Sequence, residues 1–175
     1  MHRVELVNRV DAMPLLNLLD RKRILYVDGY EDNRVLLAYL LKDLNYECFA
    51  VSTVTDALSA AQSEAFDLYI LDTWYSDGTG IELCKRIRRF DPISPIIFFS
   101  AWPLQSARED AIRAGASAYL LKPALDDVLL FIGILLGDKA SVSGVSKSTT
   151  ELISSPKSHP GNPIQSVRET QSCQR

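Results

Sequence analysis

The stretch LYILD, residues 68–72, places a short, apolar, β-prone run directly before an acidic residue. The same arrangement occurs three more times, in runs 24–27, 96–99 and 118–121, which are followed by Asp28, Ser100 and Lys122. If the four runs are parallel strands of one sheet, their carboxyl ends meet at one edge. Two carboxylates, a hydroxyl and an ammonium group would then share a crevice, and such a set suits a divalent metal and a phosphoryl group.

Apolar runs alternate with helical patterns between residues 23 and 136. We predict strands at 23–28, 47–51, 68–71, 96–99 and 118–121, and helices at 33–44, 55–63, from about 80 to the Asp91-Pro92 pair, 104–114 and 125–136. This alternation predicts an α/β fold with a parallel sheet covered by helices on both faces. Asp32 is placed to cap the first helix, and Gly115 and Gly137 are placed to end the last two.

The composition limits the classes of protein to which this chain can belong. The 175 residues are 47% hydrophobic and 23% charged, and the net charge of −3 gives no basic surface for nucleic acid. The longest apolar stretch, 128–136, is far shorter than the roughly 20 residues that span a bilayer. We therefore expect a cytoplasmic protein that binds neither nucleic acid nor membrane.

Histidines and cysteines narrow the possible sites. Both histidines, His2 and His159, lie outside 23–136, so this segment has no histidine for a catalytic triad. The three cysteines form no CxxC pair, and their odd number does not indicate a disulfide framework.

The two flanks differ from the centre of the chain. Residues 1–22 contain four leucines between positions 15 and 19, and we expect an N-terminal leader or arm. Residues 137–175 are rich in Ser, Thr and Pro and contain no aromatic residue, which predicts a disordered tail.

Four segments resemble the receiver domain of two-component response regulators. They are RILYVDGYEDNRVLL (23–37), DLYILDTWYSDGTGIELCKRIR (67–88), PIIFFSAW (95–102) and AGASAYLLKP (114–123). The resemblance covers roughly residues 23–136, which we predict to be a receiver domain. It implies a flavodoxin-like (βα)5 three-layer sandwich with a parallel five-stranded sheet of order 2-1-3-4-5.

The resemblance also implies a role for each polar residue at the strand ends. Asp72 matches the phosphoacceptor, and Asp28 matches the first acidic residue of the metal pocket. Ser100 matches the hydroxyl residue that contacts the phosphoryl group, and Tyr119 matches the aromatic residue that switches with it. Lys122 matches the lysine of the family, which is followed by a proline that is usually cis.

The metal pocket departs from the family at one position. Receivers usually have two adjacent acidic residues after the first strand, but here Asp28 is followed by Gly29. By resemblance, Asp72 and the backbone carbonyl of Trp74 would complete the Mg²⁺ ligands, and Glu31 is the remaining acidic side chain that could reach the cation. We expect weakened Mg²⁺ binding and slower phosphorylation.

Two tryptophans lie close to the predicted site in sequence. Trp74 and Trp102 are two residues past Asp72 and Ser100, positions that in the family flank the path of the hydrolytic water. One hypothesis is that the indoles shield an aspartyl phosphate and prolong its lifetime. The alternative is that they only cover the surface of their loops.

The leading interpretation is a single-domain response regulator in a phosphorelay, with no substrate turnover. A sensor histidine kinase or phosphotransfer protein would phosphorylate Asp72, and the signal would reach a downstream protein through the face of helix 4, strand 5 and helix 5, which also suits a homodimer. Gly29 supports an alternative, a degenerate pseudo-receiver that acts as a phosphorylation-independent interaction module. A flavodoxin-like hydrolase or nucleotide binder would need a Gly-rich phosphate loop or a GxSxG motif, and neither is present.

Overall fold

The computed structural model describes residues 21–138. Its five-stranded parallel sheet contains β1 to β5, which are Arg23–Val27, Glu47–Val51, Leu68–Leu71, Ile96–Ser100 and Ala118–Leu121. The five helices α1 to α5 are Glu31–Asp43, Val54–Ser63, Gly80–Ile87, Gln105–Arg113 and Leu125–Leu136. The strand order β2-β1-β3-β4-β5 confirms the predicted α/β architecture. The predicted arm (1–22) and tail (137–175) fall almost entirely outside the described residues.

Helices cover both faces of the sheet and create two apolar cores. All residues of β3 and β4 are buried, because strands at the centre of a parallel sheet meet helices on both sides. One core includes Leu58, Leu83 and Ala111 from α2, α3 and α4, and the other includes Leu41 and Ile132 from α1 and α5. No helix within residues 21–138 is both long and apolar enough to cross a membrane.

Helix α1 begins two residues earlier than the sequence predicted. Its N-cap is Tyr30, which makes no side-chain capping bond, so the prediction that Asp32 caps this helix was wrong. Asp32 instead lies in the first turn, where a negative charge is favourable near the positive end of the helix dipole. The other helix starts and the strand ends agree with the prediction to within one residue.

The segment between β3 and β4 shows two further differences. An antiparallel hairpin pairs Trp74–Tyr75 with Gly78–Thr79, and the sequence analysis did not predict it. Helix α3 ends at Ile87, four residues before the Asp91-Pro92 pair, and the backbone N–H groups of Arg89 and Phe90 beyond it make i→i−3 bonds instead of helical ones.

The predicted glycine stops are confirmed at the ends of α4 and α5. Gly115 follows α4 with φ of 105°, and Gly137 follows α5 with φ of 70°. Both values lie in the left-handed region, which glycine adopts without the steric cost of a Cβ atom.

Gly80 begins α3 where the chain passes closest to the end of β3. A methyl group on it would lie 2.1 Å from the carbonyl oxygen of Asp72 and 2.8 Å from the ring of Phe98. Because overpacking typically costs about 1–3 kcal/mol, we expect Gly80→Ala to lower the free energy of unfolding by about 2 kcal/mol in urea denaturation. Gly29→Ala is the control, since a methyl group there meets only the carbonyl oxygen of Trp74, at 4.0 Å. Equal effects of the two substitutions would contradict this packing argument.

Candidate functional site

The register of the sheet brings the two predicted carboxylates to the same edge. Val27 of β1 pairs with Leu71 of β3, so the next residues, Asp28 and Asp72, leave the sheet side by side. Asp28 is fully buried, and Asp72 is 9% exposed. The crevice also receives Ser100 from the end of β4 and Lys122 from beyond β5, as the sequence predicted.

The ammonium group of Lys122 joins the two carboxylates. Its Nζ lies 2.6 Å from Oδ2 of Asp28 and 2.6 Å from Oδ2 of Asp72. The lysine side chain is only 13% exposed, so water and salt screen these charges weakly. The ammonium therefore offsets the repulsion between the two carboxylates. The peptide bond from Lys122 to Pro123 is cis, as the resemblance implied.

Asp28 accepts hydrogen bonds on both carboxylate oxygens. Besides the bond from Lys122, Oδ2 accepts one of 2.6 Å from the phenol of Tyr26. Oδ1 accepts from the backbone N–H of Tyr30 at 2.9 Å and from Nδ2 of Asn33 at 3.3 Å. Burial acts to raise the pKa of Asp28, but the bonds from Lys122, Tyr26 and Tyr30 outweigh burial and hold the pKa below its usual value.

The phenol of Tyr26 is a hydrogen-bond donor to this carboxylate. Burial, together with the bond to Asp28, raises the pKa of the Tyr26 phenol well above its ordinary value. The raised pKa favours the neutral phenol, which is the form that donates the hydrogen bond to Asp28.

Thr73 connects Asp72 to Ser100. Its backbone N–H donates to Oδ1 of Asp72 at 2.6 Å, and its hydroxyl donates to Oγ of Ser100 at 2.6 Å. Oγ of Ser100 also accepts from the backbone N–H of Trp102 at 3.2 Å. A continuous network thus joins the ends of β3 and β4.

The ring of Tyr119 packs inward rather than toward solvent. It lies nearly parallel to the ring of Phe98, with the centroids 6.0 Å apart. Its hydroxyl donates to the carbonyl oxygen of Trp102 at 2.7 Å. The loop that follows β4 is therefore held at two points, through Ser100 and through Tyr119.

A cavity of about 250 Å³ lies against this loop and Thr73. Its wall includes Trp74, Trp102 and Tyr119. The two tryptophans are 63% and 48% exposed, so their indoles stand at the surface beside this cavity.

The donor set fits Mg²⁺, although it is short of one acidic residue. Within residues 21–138, no three His, Cys, Asp or Glu side chains form a group that could hold a metal ion. Glu31 is exposed at the first residue of α1. Asp28 and Asp72 still suit Mg²⁺, which is commonly held by one or two carboxylates with water and phosphate oxygens. A Cβ atom at Gly29 would lie 4.0 Å from the carbonyl oxygen of Trp74, so position 29 borders the predicted carbonyl ligand.

Sequence reasoning missed Tyr26 and Thr73. A signal for Tyr26 was available, because it lies two residues before Asp28 on one extended segment and both side chains therefore point to the same face. The contact of Thr73 depends on the pairing of β3 with β4. The register matches Leu71 with Phe98, which brings Thr73 level with Ser100 two residues further on.

Comparison with curated proteins identifies similar sequences. A family model described as the response regulator receiver domain matches residues 24–132. The chain is 33% identical over 102 residues to the alkaline phosphatase synthesis transcriptional regulatory protein PhoP of Bacillus subtilis, a match that covers 58% of this chain and 42% of PhoP. It is 32% identical over 110 residues to the sensor histidine kinase RcsC of Salmonella typhimurium, which covers 63% of this chain and 12% of RcsC. The chain thus spans less than half the length of either relative.

Solved structures show the same fold. A CheY-like response regulator receiver domain protein from Methanospirillum hungatei matches with a TM-score of 0.65 and 27% identity, over 67% of this chain and 95% of that chain. A two-component response regulator from Clostridium difficile matches with a TM-score of 0.65 and 27% identity, over 67% of this chain and 98% of that chain. The predicted flavodoxin-like fold is confirmed.

Replacing Lys122 by Met keeps the bulk of the side chain but removes the charge between Asp28 and Asp72. Breaking a buried ion pair typically costs about 3–5 kcal/mol, so we expect Lys122→Met to lower the free energy of unfolding by about 3 kcal/mol at pH 7. Because the pKa of Asp28 is lowered in the folded chain, its stabilising contribution is present above about pH 4 and is lost as the pH falls. The deficit of the variant should therefore shrink in acid.

Urea denaturation of both proteins between pH 3 and 7 would measure this difference. Lys85→Met is the matched control, because Lys85 is exposed on α3 and should change stability little at any pH. Equal stability of Lys122→Met and the unmodified chain at pH 7 would contradict the importance of the ionic contact.

Proposed function

This chain belongs to the response regulator receiver domain family of two-component signalling, and we propose that Asp72 accepts a phosphoryl group from a histidine kinase or a phosphotransfer protein. The supporting observation is the contact of one ammonium group, that of Lys122, with both Asp28 and Asp72 at 2.6 Å. A carboxylate nucleophile that is held beside an ammonium group suits a reaction in which a negatively charged phosphoryl group arrives.

In the proposed transfer, an oxygen of Asp72 forms a bond to phosphorus. The bond between phosphorus and the donor nitrogen breaks, and the nitrogen keeps the electron pair. Mg²⁺, when bound near Asp28, Asp72 and the carbonyl of Trp74, would supply positive charge that offsets the phosphoryl oxygens. Lys122 lies close enough to Asp72 for its ammonium group to pair with one of those oxygens after transfer.

The conformational response would begin at Ser100. Its Oγ now accepts a hydrogen bond from the hydroxyl of Thr73 at 2.6 Å, so its own O–H proton could turn toward a phosphoryl group on Asp72. The loop beyond Ser100 also holds the hydroxyl of Tyr119 through the carbonyl of Trp102. Phosphorylation would therefore favour a second arrangement of Ser100, Tyr119 and α4, which the chain already samples.

We propose that the output passes through α4, β5 and α5 to a protein target. Exposed apolar side chains occur in or beside each of these elements, namely Leu104, Ile112, Leu121 and Ile134. Apolar side chains grouped on a surface mark sites of protein contact. A downstream protein fits this face, and a second copy of the chain is the other candidate. In this proposal, residues 23–136 form the receiver domain that carries the signal.

The alternative of a phosphorylation-independent module depends on Gly29 alone. Loss of the second acid weakens the case for Mg²⁺, but it does not remove the nucleophile or its ammonium partner. The bonds among Asp72, Thr73 and Ser100 also remain in place for a switch. These contacts favour a receiver that still accepts phosphate, used for signalling rather than for substrate turnover.

Asp72→Asn tests the phosphoacceptor. After incubation with acetyl phosphate and Mg²⁺, phosphate-affinity electrophoresis should show a slower-migrating form of the unmodified chain and none of the variant, because the amide is not a nucleophile for phosphorus. Asp32→Asn is the control, since Asp32 is exposed in the first turn of α1. Phosphorylation of Asp72→Asn to the level of the unmodified chain would refute the assignment.

Trp74→Asn tests whether the indoles shield the phosphorylated site. Trp74 lies two residues past Asp72 and lines the cavity beside Thr73, so if it shields the site, its removal should admit water and accelerate autodephosphorylation severalfold after the acetyl phosphate is removed. Tyr39→Asn removes an exposed aromatic side chain from α1 and should leave the rate unchanged. An unchanged or slower rate in Trp74→Asn would show that the tryptophan only covers its loop.

A further inference from the structure

We propose that Tyr26 is a positioning residue that holds the carboxylate of Asp28 and thereby weakens the affinity of the crevice for Mg²⁺. This inference rests on the proposed function, because it concerns the cation that would assist phosphorylation of Asp72. It adds Tyr26, a buried residue of β1, which lowers the affinity of the crevice for Mg²⁺.

The carboxylate of Asp28 has no free acceptor position in this structure. An ionised carboxylate offers about four lone-pair positions. Oδ2 accepts from Tyr26 and Lys122, and Oδ1 accepts from the backbone of Tyr30 and from Asn33. A cation that binds Asp28 must therefore displace at least one of these donors.

The four donors differ in how easily they can leave. The bond from Asn33 is the longest, at 3.3 Å. The Lys122 ammonium also contacts Asp72, and it would gain a phosphoryl oxygen as a new partner after transfer. Tyr26 differs because it is fully buried in the core that contains Leu37 and Leu41. Its phenol is 0% exposed, so loss of this bond would take a buried donor from its partner, which is costly.

The hydrogen bond of Tyr26 is also short. An O–H···O⁻ bond of 2.6 Å lies in the range of strong, charge-assisted bonds. Both partners are 0% exposed, so bulk solvent weakens the bond little. The phenol thus fixes the orientation of Asp28 and makes Oδ2 a poorer ligand for a cation.

The effect is large because position 29 provides no second carboxylate. Asp28 and Asp72 are the acidic side chains that meet in the crevice, and Lys122 already contacts both. A receiver with another acid at position 29 would depend less on Asp28. In this chain, the availability of Asp28 controls the affinity for Mg²⁺.

Mg²⁺ titration of the full chain by isothermal calorimetry tests the proposal, with the fluorescence of its two tryptophans as a second readout. Tyr26→Phe keeps the ring and removes the hydroxyl, so the dissociation constant for Mg²⁺ should fall about tenfold, as expected when one charge-assisted bond no longer competes. Tyr69→Phe is the matched control. Tyr69 is 1% exposed, and its phenol donates to Oδ2 of Asp91 at 2.9 Å, outside the crevice.

Two further variants distinguish failure of the proposed role of Tyr26 from failure of the proposed Mg²⁺ site. Asn33→Ala removes a donor from Oδ1 without disturbing the core, and it should tighten Mg²⁺ binding less than Tyr26→Phe does. Gly29→Asp adds an acid where a Cβ atom has space beside the carbonyl of Trp74, and it should tighten binding whatever Tyr26 does.

The outcomes are distinct. Equal dissociation constants for Tyr26→Phe, Tyr69→Phe and the unmodified chain would overturn the role of Tyr26. If Gly29→Asp binds Mg²⁺ more tightly while Tyr26→Phe does not, only this inference fails. If no variant binds Mg²⁺, the magnesium-assisted function proposed above fails with it.

Discussion

The contact of one lysine with two aspartates is the constraint on which the site depends. Asp28 and Asp72 leave neighbouring parallel strands at the same level, so the sheet itself forces two carboxylates together. Their repulsion is offset by the Lys122 ammonium at 2.6 Å from each. The backbone N–H of Lys122 also donates to the carbonyl of Ser100, which ties the lysine to the hydroxyl side of the crevice. The strand register thus brings the two carboxylates together, and the ammonium group of Lys122 offsets their combined charge.

The two carboxylates occupy different environments. Asp28 is enclosed by donors and its pKa is lowered, so it is a fixed negative charge. Asp72 shares Lys122 with Asp28, and its Oδ1 accepts from the backbone of Thr73. This difference supports the proposal that Asp72 is the nucleophile and that Asp28 has an electrostatic role. In the proposed site, Gly29 leaves the pocket without a second acidic side chain, and Tyr26 restrains the carboxylate of Asp28.

Much of this arrangement was predictable, because buried strands have a strong local signature. Uninterrupted apolar runs such as those of β3 and β4 indicated parallel strands, and the residue after each run then had to lie at the carboxyl edge. The start of α1 at Glu31 was not predictable from Asp32 as a cap, since the helix begins without any side-chain cap. The pairing of Thr73 with Ser100 depends on the register between β3 and β4, which no local pattern encodes. The bond from Tyr26 to Asp28 was accessible from strand alternation, but a buried tyrosine in a strand is ordinarily only a core residue.

A crystal structure of the chain with beryllofluoride and Mg²⁺ would test the proposed phosphorylation of Asp72 most directly. Beryllofluoride takes the place of the phosphoryl group in such a structure. We expect the adduct on Asp72, the ammonium group of Lys122 in contact with a fluorine atom, and the hydroxyl of Ser100 donating to the adduct. A crevice without an adduct at saturating beryllofluoride, or an adduct that the hydroxyl of Ser100 does not contact, would contradict this proposal.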